Sequence, residues 1–224
     1  MNNIINLVFP VEGTLLHADH NHRLLGSLSK KIPQLHSFDN LAVNTISGIP
    51  DREGKILLTP HSRLYLRLPV EAIAIVYQLA GQTLTIGEYQ VKLGNPELQT
   101  LKAVESLKAR LVTIKGYTKP ASFLEAAYRQ LQALEIGANI GIPANDKGEP
   151  KRLTLKINKP DQKRSYTIIG FSVVVSNLSE EDSIKLQIHG LGGKRRLGCG
   201  VFYSNISVNQ PHQGGKRHAA EIVS

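Results

Sequence analysis

This 224-residue chain contains no tryptophan, and aromatics make up only 5% of it. Recognition of nucleic acid mainly by stacked bases would ask for more, so any such recognition should lean on phosphate and ribose contacts. There is a single cysteine, Cys199, which excludes an internal disulfide and any multi-cysteine zinc site. No apolar run is long enough to span a bilayer. The opening MNNIINLVFPVEG has neither a basic n-region nor a small-residue cleavage site, so no signal peptide is read there. A cytoplasmic protein without a membrane partner is the expectation. Two nucleotide-binding motifs are also missing. Around HGLGGKRRLGCGVF, residues 189–202, GxxxxGK[ST] fails at Ile188 and Arg195, and GxGxxG fails at Arg195.

Positive charge, in contrast, is abundant. Lys and Arg number 27 against 18 acids, giving a net charge of +9. Such a surplus points to nucleic acid or an anionic surface as partner. The glycine-rich stretch places Lys194, Arg195 and Arg196 among Gly190, Gly192, Gly193, Gly198 and Gly200 with no acid beside them. Glycine allows positive φ and close approach to the backbone, which suits a loop against a polyanion. A second basic cluster contains Lys147, Lys151, Arg152, Lys156, Lys159, Lys163 and Arg164 against only Glu149 and Asp161. Both clusters are read as phosphate-binding.

The order of elements repeats. Residues 4–9 read as a strand and 19–32 as a helix with Leu24, Leu25, Leu28 and Ile32 at helical spacing. Pro33 ends that helix. Residues 41–49 and 55–68 read as extended, the second broken near Pro60, with Arg63, Tyr65 and Arg67 on the face opposite Leu64, Leu66 and Leu68. A helix over 70–80 and a closing strand over 83–93 complete β-α-β-β-α-β, the ferredoxin-like unit. Residues 94–105 resemble a linker. A second unit then takes strand 107–115, helix 120–134, strands 151–157 and 166–175, a helix capped by Ser179 with Asp182, and a last strand over 201–206. The expectation is an α+β protein of two tandem ferredoxin-like (RRM-like) domains, residues 1–94 and 95–206, followed by a mobile tail at 207–224.

Histidines gather in the first unit: His17, His20 and His22, then His36 and His61. HADHNH is not the HxHxDH of metallo-hydrolases, and no Ser or Thr stands two residues after His36 or His61 as two-histidine phosphoesterases require. No metal and no cofactor are expected. RNA suggests a chemistry that needs neither. Its 2′-OH can attack the adjacent phosphate when a base takes the proton and an acid protonates the departing 5′-oxygen. Histidine can fill either role, and cations offset the charge on phosphorus.

The stretches VFPVEGTLLHADHNHRLLGSLSKKIPQLHSF, RLVTIKGY and GLGGKRRLGCGVF resemble the CRISPR-associated repeat-cleaving endoribonucleases, the sixth Cas family, in its myxobacterial and cyanobacterial type I variant. The likeness covers about residues 4–206. It implies tandem ferredoxin-like domains and metal-free cleavage of the repeat in precursor CRISPR RNA, leaving a 2′,3′-cyclic phosphate. It also implies repeat RNA and the mature guide as partners; the alternative reading is a non-catalytic subunit that holds repeat RNA beside other Cas subunits of a type I effector complex. The family's catalytic histidine follows the first helix in a leucine–histidine pair after a proline, which Pro33-Gln34-Leu35-His36 matches. An earlier family histidine matches His20, which makes it a second catalytic candidate; its place on the apolar face of the helix favours the alternative of a packing residue. Ser29 stands near a tyrosine some members carry and is a candidate to bond the ribose at the catalytic site, against the plainer reading of an exposed helical serine; no lysine follows between His36 and Lys55.

Overall fold

The computed structural model describes residues 3–159 and 164–205. Lys163 and the segment 207–224 lie outside the described residues. Nine strands and two helices come first in the chain. They are β1 (Ile4–Glu12), β2 (Leu15–His17), α1 (Asn21–Lys31), β3 (Ala42–Val43), β4 (Ile49–Pro50), β5 (Lys55–Leu57), β6 (Arg63–Pro69), α2 (Ile73–Val76), β7 (Thr83–Ile86), β8 (Tyr89–Leu93) and β9 (Glu97–Thr100). The second half adds β10 (Leu107–Val112), α3 (Pro120–Ala133), β11 (Asn139–Gly141), β12 (Arg152–Lys159), β13 (Arg164–Ser176), α4 (Glu180–His189) and β14 (Tyr203–Ser204).

The two larger sheets carry the ferredoxin-like strand order. In the first, β3–β6–β1–β8–β7, the opening strand sits between its third-position partner β6 and the chain's return. In the second, β10 lies between β13 and β14, with β11 and β12 both pairing the long β13. The helices bury the expected faces. Leu24 and Leu28 of α1 and Phe123, Ala127 and Leu131 of α3 are buried in two separate cores. Each of these side chains gains roughly 1.5–3 kcal/mol from burial when it is of Leu or Phe size. Ser179 caps α4, its hydroxyl accepting from the Asp182 amide at 3.1 Å.

Several local expectations are corrected. The stretch 83–93 is not one closing strand but the β7–β8 hairpin, turning at Gly87, whose φ is +70°. Only Val11 and Glu12 of β1 pair with β8; Ile5–Val8 pair instead with β9, a strand in what reads as linker. The helix expected over 70–80 is three short pieces: 3₁₀ turns at Val70–Ala72 and Tyr77–Leu79 flank the single turn of α2. Its β-branched residues Val70, Ile73, Ile75 and Val76 crowd χ1 and weaken a continuous helix. The extended reading of 41–49 keeps only Ala42–Val43 on β6, while Ile49–Pro50 joins a small separate sheet, β2–β5–β4.

Arg67 departs most from its expected exposure. It stands on the face of β6 opposite Leu66 and Leu68, yet it is 3% exposed. Its Nε donates to Asn6 Oδ1 at 2.9 Å, and its Nη1 donates to the carbonyls of Gln187 and Phe202 at 2.7 and 2.9 Å. The side chain thereby ties the first sheet to the end of α4 and the approach to β14.

Candidate functional site

The glycine-rich stretch folds back onto the first unit. Its centre, Arg195–Leu197, makes a 3₁₀ turn between two left-handed residues, Lys194 and Gly198. Asn21, the first residue of α1, donates to the Leu197 carbonyl at 2.6 Å and to Thr45 Oγ1 at 3.3 Å. Leu197 and Cys199 pack with Leu111, Leu155, Ile157 and Ile168, and Leu25 of α1 closes the cluster. Burial pushes the Cys199 thiol up to about 11, so it is a packed, unreactive thiol.

The glycines shape this loop more than they open it. A Cβ on Gly190, at φ +65°, would strike the Gly200 carbonyl, and one on Gly192, at φ +70°, would strike the Thr113 carbonyl. The loop amides are also already engaged. Gly192 donates to Gln130 Oε1 at 2.7 Å, Gly193 to the Thr113 carbonyl at 3.0 Å, Gly198 to Arg195 and Gly200 to Leu111. Charge on a ligand must therefore be met by side chains. Lys194 is exposed and Arg196 half-buried, and neither forms a salt bridge among the described residues. Nε and Nη2 of Arg195 are buried without a hydrogen-bond acceptor among those residues. Burial lowers Arg195 to about 10, and burial with the nearby Arg195 charge lowers Arg67 to about 9. Neither guanidinium forms a salt bridge with a carboxylate among the described residues, which leaves positive charge that favours a polyanion.

The loop also reaches the segment that carries His36. Arg196 Nη2 donates to the Phe38 carbonyl at 3.1 Å, a contact across 158 positions of sequence. His36 itself is exposed on the 3₁₀ turn Pro33–Ser37. That turn is anchored by the fully buried Leu35 and by Ser37 Oγ donating to the Gln34 carbonyl at 2.8 Å. His20 is placed very differently. It is 1% exposed, its Nδ1 lies 2.8 Å from the His17 carbonyl, and its Nε2 accepts from the Ile46 amide at 3.1 Å. The amide can only donate, so Nε2 is bare and Nδ1 carries the proton toward His17. Burial lowers this imidazole to about 4. Ser29 donates its hydroxyl to the Leu25 carbonyl one turn back, at 2.8 Å. Among the described residues no three His, Cys, Asp or Glu side chains gather as a metal site.

The other basic cluster is arranged apart from the loop. Leu155 and Ile157 of β12 face Leu197 and Cys199, so Arg152 and Lys156 point from the opposite face of the strand, both exposed. Lys151 is exposed just before β12, and Arg164 opens β13.

A family model described as Cas6 Crispr matches residues 5–207. A CRISPR-associated endonuclease Cas6 of Myxococcus xanthus (strain DK1622) is 34% identical over 198 residues, 88% of this chain and 80% of its own length. The chain belongs to the Cas6 family. Solved structures agree on the fold. A CRISPR associated protein Cas6 superposes with TM-score 0.60 at 10% identity, covering 89% of this chain and 98% of its own. A protein of a Cas6-related gene from Pyrococcus furiosus gives TM-score 0.57 at 12% identity, covering 92% and 100%. The Cas6 match takes in both sheets, α1 with the turn of His36, and the whole glycine loop.

Sequence reasoning missed Arg67, Asn21 and Gln130 as residues that hold the glycine loop and its surroundings in place. Asn21 and Arg67 each contact residues more than 100 positions away, and no local pattern marks such partners. The loop cations can be checked directly. Replacing Lys194, Arg195 and Arg196 with Ala should weaken RNA binding and flatten log K against log salt by about 2 units, at about 0.7 per lost phosphate contact on a single strand. Fluorescence anisotropy between 50 and 300 mM salt reads the slope, and an unchanged slope would take the loop off the phosphate path.

Proposed function

We propose that this protein is an endoribonuclease that cuts the repeat of precursor CRISPR RNA without a metal ion, with His36 transferring a proton at the scissile phosphate. The observation that carries this reading is the Arg196–Phe38 hydrogen bond, which fastens an acid-free basic loop to the turn bearing an exposed histidine. The Myxococcus relative is a CRISPR-associated endonuclease, and its 34% identity extends over 88% of this chain.

In the proposed step the ribose 2′-oxygen forms a bond to the adjacent phosphorus as its proton leaves. The P–O5′ bond breaks, and the departing 5′-oxygen takes up a proton. The products are a 2′,3′-cyclic phosphate and a 5′-hydroxyl. His36 serves as the acid or base of this exchange, since imidazole changes charge near neutral pH. Lys194, Arg195 and Arg196 hold the phosphate backbone and stabilise the charge on the pentacoordinate phosphorus. The cations of β12 hold RNA further along, on the opposite face of that strand.

Incubating the protein with labelled repeat RNA in excess EDTA tests the reading. One cut is expected, ending in a cyclic phosphate, and a single 2′-deoxy sugar 5′ of the cut should abolish it. Cleavage that needs a divalent ion, or that survives the deoxy substitution, would overturn the mechanism. Tight binding with no cut would mark a non-catalytic subunit that holds repeat RNA.

A further inference from the structure

The second sheet has two unlike faces. Leu107 and Ala109 of β10, with Val173 and Val175 of β13, turn toward α3 and α4 and join the second core. Lys108 therefore turns the other way, and Arg110 follows it in the bulge that shifts the register between Ala109 and Val112. The register sets Lys108 opposite Tyr203 of β14 on one side and Val174 of β13 on the other, a row across three strands. Lys108 Nζ lies 5.7 Å from the centre of the Tyr203 ring. Tyr203 is 36% exposed and Arg110 is exposed. Arg110 is close enough for its charge to oppose the upward push of burial on the Tyr203 hydroxyl. No acid occurs in β10, in β14 or in the facing stretch of β13; the nearest in sequence is Glu105, exposed before β10.

An accessible ring beside a lysine, with an exposed arginine nearby on an acid-free sheet, matches a nucleotide in single-stranded RNA: the base offers a π-face and its flanking phosphates offer charge. A lysine near the ring adds a cation–π contribution that leaves the ring's open side available. We propose that this face is a base-stacking subsite for single-stranded RNA, with Tyr203 holding one base and Lys108 and Arg110 the phosphates beside it. The proposal rests on the reading of the protein as RNA-binding and adds an aromatic ring, on a strand whose neighbour β10 packs Leu111 with the glycine loop, that neither that loop nor His36 supplies.

The test uses the full chain, a fluorescent ten-nucleotide oligoadenylate and a repeat RNA. Tyr203→Ala should weaken oligoadenylate binding by about 5- to 150-fold, while Tyr203→Phe, which keeps the ring, should stay within about 3-fold of the wild type. Arg110→Ala, at an exposed position with little bearing on folding, should lower the salt slope by about 0.7. Melting curves of all variants confirm that the comparison is between folded proteins. Oligoadenylate binding unchanged in both Tyr203→Ala and Arg110→Ala would overturn the subsite. So would a wild type that cuts the repeat but ignores oligoadenylate, and that result would leave the nuclease reading standing. Tyr203-dependent oligoadenylate binding without repeat cleavage would support the subsite and sink the nuclease instead.

Discussion

His36→Ala should slow single-turnover cleavage of repeat RNA by about 10²–10⁴-fold, the usual contribution of a positioned acid or base. The protein around it should not notice. His36 is exposed on its 3₁₀ turn, and the turn is held by Leu35, by Pro33 and by the Ser37–Gln34 hydrogen bond, none of which the substitution touches. Substitutions at such surface positions change stability by about 0.5 kcal/mol or less. RNA affinity should likewise stay within about 3-fold, because the phosphate contacts are assigned to the loop cations rather than to the imidazole. Imidazole added to the buffer should restore part of the lost rate. The measurement is a quench-flow time course at saturating protein, beside an anisotropy titration. Full-rate cleavage by the variant would remove His36 from the mechanism.

Much of the frame behind that prediction was legible in residue order. Leu24, Leu28 and Ile32 at helical spacing, the Pro33 stop and the Ser179–Asp182 cap are local signals, and the structure has α1, the turn after it and α4 where those signals lie. The alternation Leu64, Leu66, Leu68 likewise marks β6, and all three are fully buried. What the sequence could not convey is which segment meets which. ELQT at 97–100 has no strong strand pattern of its own, being exposed throughout, and it is a strand because β1 offers an open edge there. Arg67 reads as one more outward cation in an alternating strand until α4 and Phe202 close over it.

The glycine loop shows the same division. Its composition announces a tight basic turn, but composition suggests amides open to a ligand. In the fold those amides serve the loop's own closure on Thr113, Leu111 and Gln130. The cations are then displayed by a rigid frame, and rigidity lowers the ordering cost of binding. The frame has a cost of its own. Buried donors left without acceptors, as on Arg195, typically forfeit about 1–3 kcal/mol each. A polyanion that reaches this guanidinium would recover part of that, which favours the bound state over the free one.

His20 carries the second large effect, on stability rather than rate. Its neutral imidazole links the His17 carbonyl to the Ile46 amide, holding the start of α1 to the segment that follows β3. His20→Ala would orphan both backbone groups and leave a cavity, at a cost of about 2–4 kcal/mol. The pH dependence follows from the same contacts. In the unfolded chain this histidine takes a proton as pH falls through about 6.5, whereas in the fold it resists until about 4. Between those values the unfolded state binds more protons, so stability is full above pH 6.5 and declines as pH falls toward 4. The separation corresponds to about 3 kcal/mol lost across that window. Urea unfolding of the wild type at steps from pH 7 to 4 should show this slope, and His20→Gln, which cannot titrate, should flatten it. At pH 7 and low temperature the folded fraction of His20→Ala should still cleave RNA. A His20→Ala protein as stable as the wild type but inactive, beside an active His36→Ala, would exchange the roles of the two histidines.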